Sequence, residues 1–193
     1  MKRLRNLLAV ISFTLLLVAL NSCCQSKDSL DDIKDYKQGD KYFKASMVGL
    51  HFMIEALPAS ESDSIMRQMI TNYQLPVMAK NAADGTYTGE SPYDAFDYKH
   101  IVKLTIKDGK ITAIDYNEVH KNGIGKEENE QYNIEMSASG AMPSDAYPKM
   151  EKQLLAVQNM LQVDAVSGAT YSLNRFRYAM LVALMKANMK AKT

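Results

Sequence analysis

Past its first two dozen residues the chain contains no cysteine. Its only two, Cys23 and Cys24, are adjacent, so cysteine redox chemistry, thiolate metal centres and internal disulfides are excluded from everything that follows them. An excess of either charge is also lacking. The formal net charge is +1, and removal of Lys2, Arg3 and Arg5 takes residues 23–193 to −2. A near-neutral chain gives no electrostatic case for nucleic acid binding. No G-x-S-x-G stretch is present, which removes support for a serine hydrolase. Gly123-Ile124-Gly125-Lys126 lacks the spacing and the following hydroxyl residue of a phosphate loop. His51, His100 and His120 show no close ligand spacing among themselves, so they read as surface or packing residues and no metal is expected. The thirteen methionines fall mostly on helix faces and read as core filler rather than a Cu(I) site. Haem and iron–sulfur motifs are absent too.

Long apolar runs are missing with one exception, Leu7 to Leu20, which follows Lys2, Arg3 and Arg5. A basic start, an apolar run and a small residue are the parts of a secretory signal. The run is too short to cross a bilayer core of ~30 Å comfortably as a helix. Leu20-Asn21-Ser22-Cys23 resembles a bacterial lipobox, in which the cysteine is lipidated and becomes the mature N-terminus. The expectation is a signal peptide over 1–22 and a lipid anchor at Cys23. The body then lies on the extracytoplasmic side of the cell membrane or outer membrane.

The 171 residues from 23 onward suffice for one domain plus an appendage. Residues 23–39 are polar and charged, as a linker would be. Residues 40–80 read as a helical extension. One helix is expected from a cap at Asp40 to about Ala56, and a second from Ser60 to about Tyr73. The main domain is expected over 81–190. His100–Lys107 alternates, Asp108-Gly109 forms a two-residue turn, and Lys110–Tyr116 returns as the partner strand. Residues 117–130 read as a charged loop and Glu130–Ser137 as a short helix. Pro148 is expected in the first turn of a helix reaching Gln162. A last helix spans about Tyr171 to Met189, its inward stripe being Leu173, Phe176, Met180, Leu184 and Ala187. Helices clustered after an antiparallel hairpin give an α+β fold.

The stretch before that last helix, Asp164-Ala165-Val166-Ser167-Gly168-Ala169-Thr170-Tyr171-Ser172, is a small, hydroxyl-rich elbow. With Thr170 at or beside the N-cap, its hydroxyl lies next to unpaired backbone N–H groups at the positive end of the helix dipole. That placement suits a phosphate. Gly168 lets the backbone bend there and admits a bulky group.

Asp164-Ala165-Val166-Ser167-Gly168-Ala169-Thr170 resembles the D-x-x-[ST]-G-A-T flavinylation motif of the FMN-binding domain family, which includes flavin subunits of Rnf complexes and of sodium-translocating NADH:quinone reductase. All specified positions match. Asp84-Gly85-Thr86-Tyr87 is similar to the family's opening DGTY, and the hairpin around Asp108-Gly109-Lys110-Ile111 to its DGKI element. Tyr132-Asn133, Tyr147-Pro148 and Asn174-Arg175-Phe176 resemble a branch of membrane-anchored lipoproteins. The resemblance covers roughly residues 82–188 and leaves 23–80 without a counterpart. It implies FMN joined to Thr170 through a phosphoester by a separate flavin transferase that consumes FAD. Ser167, Gly168 and Ala169 are then the rest of the attachment motif, and Asp164 serves recognition by the transferase. With no acid–base pair beside a substrate pocket, the expected role is electron relay. The donor would be a membrane dehydrogenase or quinone-linked complex, passing electrons to an extracytoplasmic acceptor. The rival expectation is a binding or sensory lipoprotein module that is never flavinylated.

Overall fold

The computed structural model describes residues 30–138 and 140–192. Among them are five α-helices and one three-stranded antiparallel sheet, an α+β fold. In chain order these are α1 (Phe43–Ala56), α2 (Ala59–Tyr73), β1 (Gly85–Glu90), β2 (Tyr98–Lys107), β3 (Lys110–His120), α3 (Glu130–Ser137), α4 (Pro143–Val157) and α5 (Thr170–Lys190). No helix among the described residues is long and apolar enough to cross a membrane.

The sheet is a meander in the order β1-β2-β3. Asp108 and Gly109 take φ of 52° and 69°, the left-handed pair that a two-residue hairpin turn needs. They set Lys107 opposite Lys110, and a register shift at Thr105/Ile106 bends the pair. Both strands outrun their expected lengths. Pairing continues to Tyr98 opposite His120, so residues 117–120 belong to β3 and not to a loop. Their polar composition hid this, because Glu118 is buried by ion pairs instead of apolar neighbours.

α5 runs through the middle of the molecule. The expected stripe of Leu173, Phe176, Met180, Leu184 and Ala187 is buried, but so are Tyr178, Ala179, Leu181, Val182, Ala183 and Met185. A helix buried on nearly all sides needs cover on both. Here the sheet lies against one side and the α1–α2 pair against the other. β1 comes so near that a Cβ on Gly89 would collide with the carbonyl oxygen of Ala179 and stand 2.6 Å from the nitrogen of Ala183.

Three boundaries differ from expectation. α1 starts at Phe43; the Asp40 side chain accepts from the Tyr42 N–H at 2.9 Å just ahead of it. α4 starts at Pro143, where the missing N–H costs nothing, and holds Pro148 in its interior. It stops at Val157 because Gln158 turns left-handed, and a 3-10 turn follows at Met160–Gln162. The Gln158 side chain is held by the backbone of Ile111, accepting its N–H at 2.8 Å and donating to its carbonyl at 3.0 Å. The third difference is the linker. Leu30 and Ile33 are fully buried, Tyr36 packs on the core, and Asp31–Ile33 form a 3-10 turn. Three-residue spacing puts these apolar groups on one side of such a turn. Asp32 pairs with Lys186 at 3.1 Å and Asp31 with Lys44 at 2.7 Å. From residue 30 onward, therefore, the segment is docked on α5 rather than standing clear of it. Cys23 and the expected signal lie outside the described residues.

Candidate functional site

The elbow ahead of α5 is a tight turn. The Ala169 N–H donates to the Val166 carbonyl at 2.8 Å, with Gly168 at φ 79°. That is the third position of a type II turn, where glycine is favoured. Ala169 is the N-cap, buried, and its methyl offers no capping oxygen. Thr170 is the first helical residue and is exposed, as are Asp164, Ser167 and Gly168. Unmet N–H groups at the positive end of a 21-residue helix thus lie beside an accessible hydroxyl. This arrangement fits a phosphate group.

Several side chains clamp the elbow. Arg177, nearly buried, donates from Nε to the Met160 carbonyl at 3.1 Å and from Nη2 to the Val163 carbonyl at 2.7 Å. Its Nη1 meets Asp63 Oδ1 at 2.6 Å. The Asp164 N–H donates to Gln153 Oε1 at 2.8 Å. Asn174 donates to the Ala59 carbonyl at 2.8 Å and to Ser62 Oγ at 2.9 Å. Thr170 and Asp164 share a cleft of about 260 Å³ with Ser60, Asp63 and Arg67 of α2. The helical extension, to which the sequence assigned no chemistry, is one wall of the site.

The next turn of α5 enters a buried ionic cluster. Glu118, fully buried, accepts from Lys126 Nζ at 2.7 Å, Arg175 Nη1 at 3.1 Å and the Tyr116 hydroxyl at 3.2 Å. Burial alone would raise its pKa; His100, Lys126 and Arg175 hold it well below the usual carboxylate range. Arg175 also grips Glu55 of α1, from Nη2 to Oε2 at 2.6 Å and from Nε to Oε1 at 3.2 Å. His100 Nε2 lies 2.8 Å from the same Oε1. Burial opposes ionisation of Glu55, yet His100 and Arg175 bring its pKa down to about 2. Burial, followed by the nearness of His100, lowers His51 to about 4. Lys126 also sits over the rings of Tyr98 and Tyr132, at 4.6 and 5.1 Å from their centroids. Burial, followed by Glu118, raises the pKa of Tyr147, whose ring packs edge-on against that of Tyr116 at 4.8 Å between centroids.

All five sequence-derived attachment residues (Asp164, Ser167, Gly168, Ala169 and Thr170) fall in this one elbow, as local neighbours in sequence must. Sequence reasoning missed Arg67, Asp63 and Arg177 in the cleft and Glu55, Glu118 and Arg175 beneath it. One signal for the cluster was available. His51 and Glu55 are four apart in a helical stretch and so share a face; spacing counted among histidines alone passed over it. His51 and His100 are buried, in keeping with a packing role, but both also face Glu55.

The FMN-binding domain pattern matches residues 99–185 of this chain. The 15 kDa lipoprotein of Treponema pallidum is 35% identical over 98 residues, which are 49% of this chain and 68% of that protein. This chain belongs to the FMN-binding domain family. The crystal structure of the CPE2226 protein from Clostridium perfringens is similar at 33% identity and a TM-score of 0.53, covering 56% of this chain and 91% of the other. The FMN-binding domain match takes in β2, β3, the elbow and most of α5, and leaves out α1 and α2. In this chain, therefore, part of the cleft around Thr170 comes from outside the matched segment.

Proposed function

We propose that the chain is an extracytoplasmic lipoprotein, anchored through Cys23, that carries FMN in phosphoester linkage to Thr170 and relays electrons. The observation that supports this best is the exposed Thr170 hydroxyl at an uncapped helix start, inside a complete D-x-x-S-G-A-T stretch. Thr170 supplies the oxygen for attachment, and the free N–H groups of the first turn of α5 receive the phosphate charge. Gly168 and the small Ala169 leave room above the backbone, while Arg177 and Gln153 fix the elbow so that the hydroxyl is presented outward. Asp164, exposed beside it, is left for the flavin transferase to recognise. FMN supplies one- and two-electron chemistry, and the protein's part is position and polarity. A soluble cofactor outside the cell is retained by a covalent bond. The anchor follows from the lipobox and accords with the lipoprotein relative. The electron donor proposed is a membrane dehydrogenase or quinone-linked complex.

The test is co-expression with a flavin transferase and export. The expected product carries one FMN minus water on the peptide containing Thr170, and Thr170→Ala carries none. In membranes, wild type should be reduced by a respiratory donor and reoxidised by an added acceptor, while Thr170→Ala does neither. An adduct on Ser167 or Ser172 would overturn the residue assignment. Equal electron transfer by wild type and Thr170→Ala would replace the relay by the binding-module reading.

A further inference from the structure

Three metal-ligand side chains meet where α1 faces β2. His51 and Glu55 project from one side of α1 and His100 from β2, and one ligand atom of each lies within 4.8 Å of the other two. The two imidazole rings are 5.7 Å apart by their centroids. His100 is fully buried and His51 nearly so, and Nδ1 of each has no hydrogen-bond partner. Buried polar atoms are normally satisfied, so the orphan nitrogen on the buried His51 ring is a second and independent sign of a missing ligand.

We propose that His51, Glu55 and His100 bind a divalent transition-metal ion of the zinc class, which pins α1 to the sheet. Two imidazoles and a carboxylate suit Zn²⁺ or Co²⁺ rather than the oxygen-seeking Mg²⁺ or Ca²⁺. Ligand atoms around tetrahedral zinc stand about 3.4 Å apart, so the widest pair closes by about 1.4 Å through side-chain rotation. The ion takes the place of the proton now shared between His100 Nε2 and Glu55 Oε1. With the ion on Nε2 the ring carries its remaining proton on Nδ1, where Glu118 Oε2 stands 3.9 Å away. A carboxylate behind a ligating imidazole is the usual supporting contact, and the shift gives His100 Nδ1 a partner. Arg175 keeps hold of Glu55 through Oε2 at 2.6 Å, while its longer Nε contact to Oε1 at 3.2 Å gives way to the ion. Glu55 is the one partly exposed member, and water from that side completes the coordination. Because Arg175 and Lys126 already balance the two carboxylates, the site is weaker than a structural zinc centre, and micromolar affinity is expected.

The test uses the full chain stripped with a chelator. Zn²⁺ is titrated by calorimetry, and Co²⁺ is followed by difference absorption so that any flavin cancels. One equivalent should bind, with visible cobalt bands and a Zn²⁺-dependent rise in thermal midpoint. His51→Ala should weaken binding about 100-fold or more and abolish that rise, while its circular dichroism stays native. His51→Gln, which keeps much of the side-chain bulk, should also weaken binding and guards against a folding defect in the first variant. Failure of wild type to bind at millimolar metal would overturn the site. So would undiminished binding by His51→Ala, or a thiolate charge-transfer band placing the ion on Cys23 or Cys24. The flavin assignment at Thr170 stands or falls separately.

Discussion

The elbow and the ionic cluster both hang on the first two turns of α5, yet they are built on opposite plans. Thr170 and its neighbours are exposed, contiguous in sequence, and held in place through their backbone. Glu118, Arg175, Glu55, His100 and Lys126 come from α1, β2, β3, α5 and the loop after β3, and they are held by one another. In the elbow a side chain is free to be modified because nothing else depends on it. In the cluster no side chain is free, since removing any one strands a buried charge. An exposed, unencumbered hydroxyl and a structurally committed cluster thus lie within a few residues of each other.

The comparison breaks first, and most heavily, at Arg175. Arg175→Met leaves Glu118 and Glu55 short of their shared partner, so unfolding in urea should show a loss of about 3–5 kcal/mol. A loss near zero would mean the cluster is not the structural centre. Gly168→Ala tests the elbow's backbone. With φ at 79° a side chain is strained there, and a loss of about 1 kcal/mol is expected, together with slower flavin attachment in a transferase assay. Thr170→Ala is the sharpest contrast. It should shift stability by no more than about 0.5 kcal/mol while removing all covalent flavin. If it destabilises as much as Arg175→Met, the division between the two regions fails.

A pH-dependent effect concerns Glu151, beside the cluster on α4. Burial raises its carboxyl from 4.5 to about 7, although it accepts the Tyr116 N–H at 2.6 Å. The folded state therefore holds this proton over a range in which the unfolded chain has released it. Stability contributed by the group is full below pH 4.5 and is lost as pH rises to about 7. Thermal midpoints of Glu151→Gln should fall less than those of wild type between pH 5 and about 7.5.

What the sequence disclosed follows the same line. Asp108-Gly109 announced its hairpin because two left-handed residues in a row tolerate few substitutes. The helix at Glu130–Ser137 and the elbow were legible for a similar reason: their signals are local. Residues 117–120 were misread because burial of Glu118 depends on Lys126 and Arg175, one of them nearly sixty residues away. Residues 30–39 look like a linker until the three-residue spacing of Leu30, Ile33 and Tyr36 is set against the surface of α5. Pro148 suggested a helix start because Pro143, five residues earlier, plays that part instead. Contacts made across the fold leave little trace in any single stretch.

α5 is also a ruler. At 1.5 Å per residue its 21 residues measure about 30 Å. The turn Asp31–Ile33 docks against it, with Asp32 paired to Lys186 near its end, and Thr170 stands at its start. Only six residues separate Cys23 from Leu30, a stretch that spans at most about 25 Å when fully extended. With the proposed anchor at Cys23, the lipid end and the flavin end lie at opposite poles of a rigid body on a short leash. The reach of the cofactor is then set less by a swinging tether than by how far the whole domain tips over on the bilayer, so a redox partner must either rise to about that height or pull the domain down.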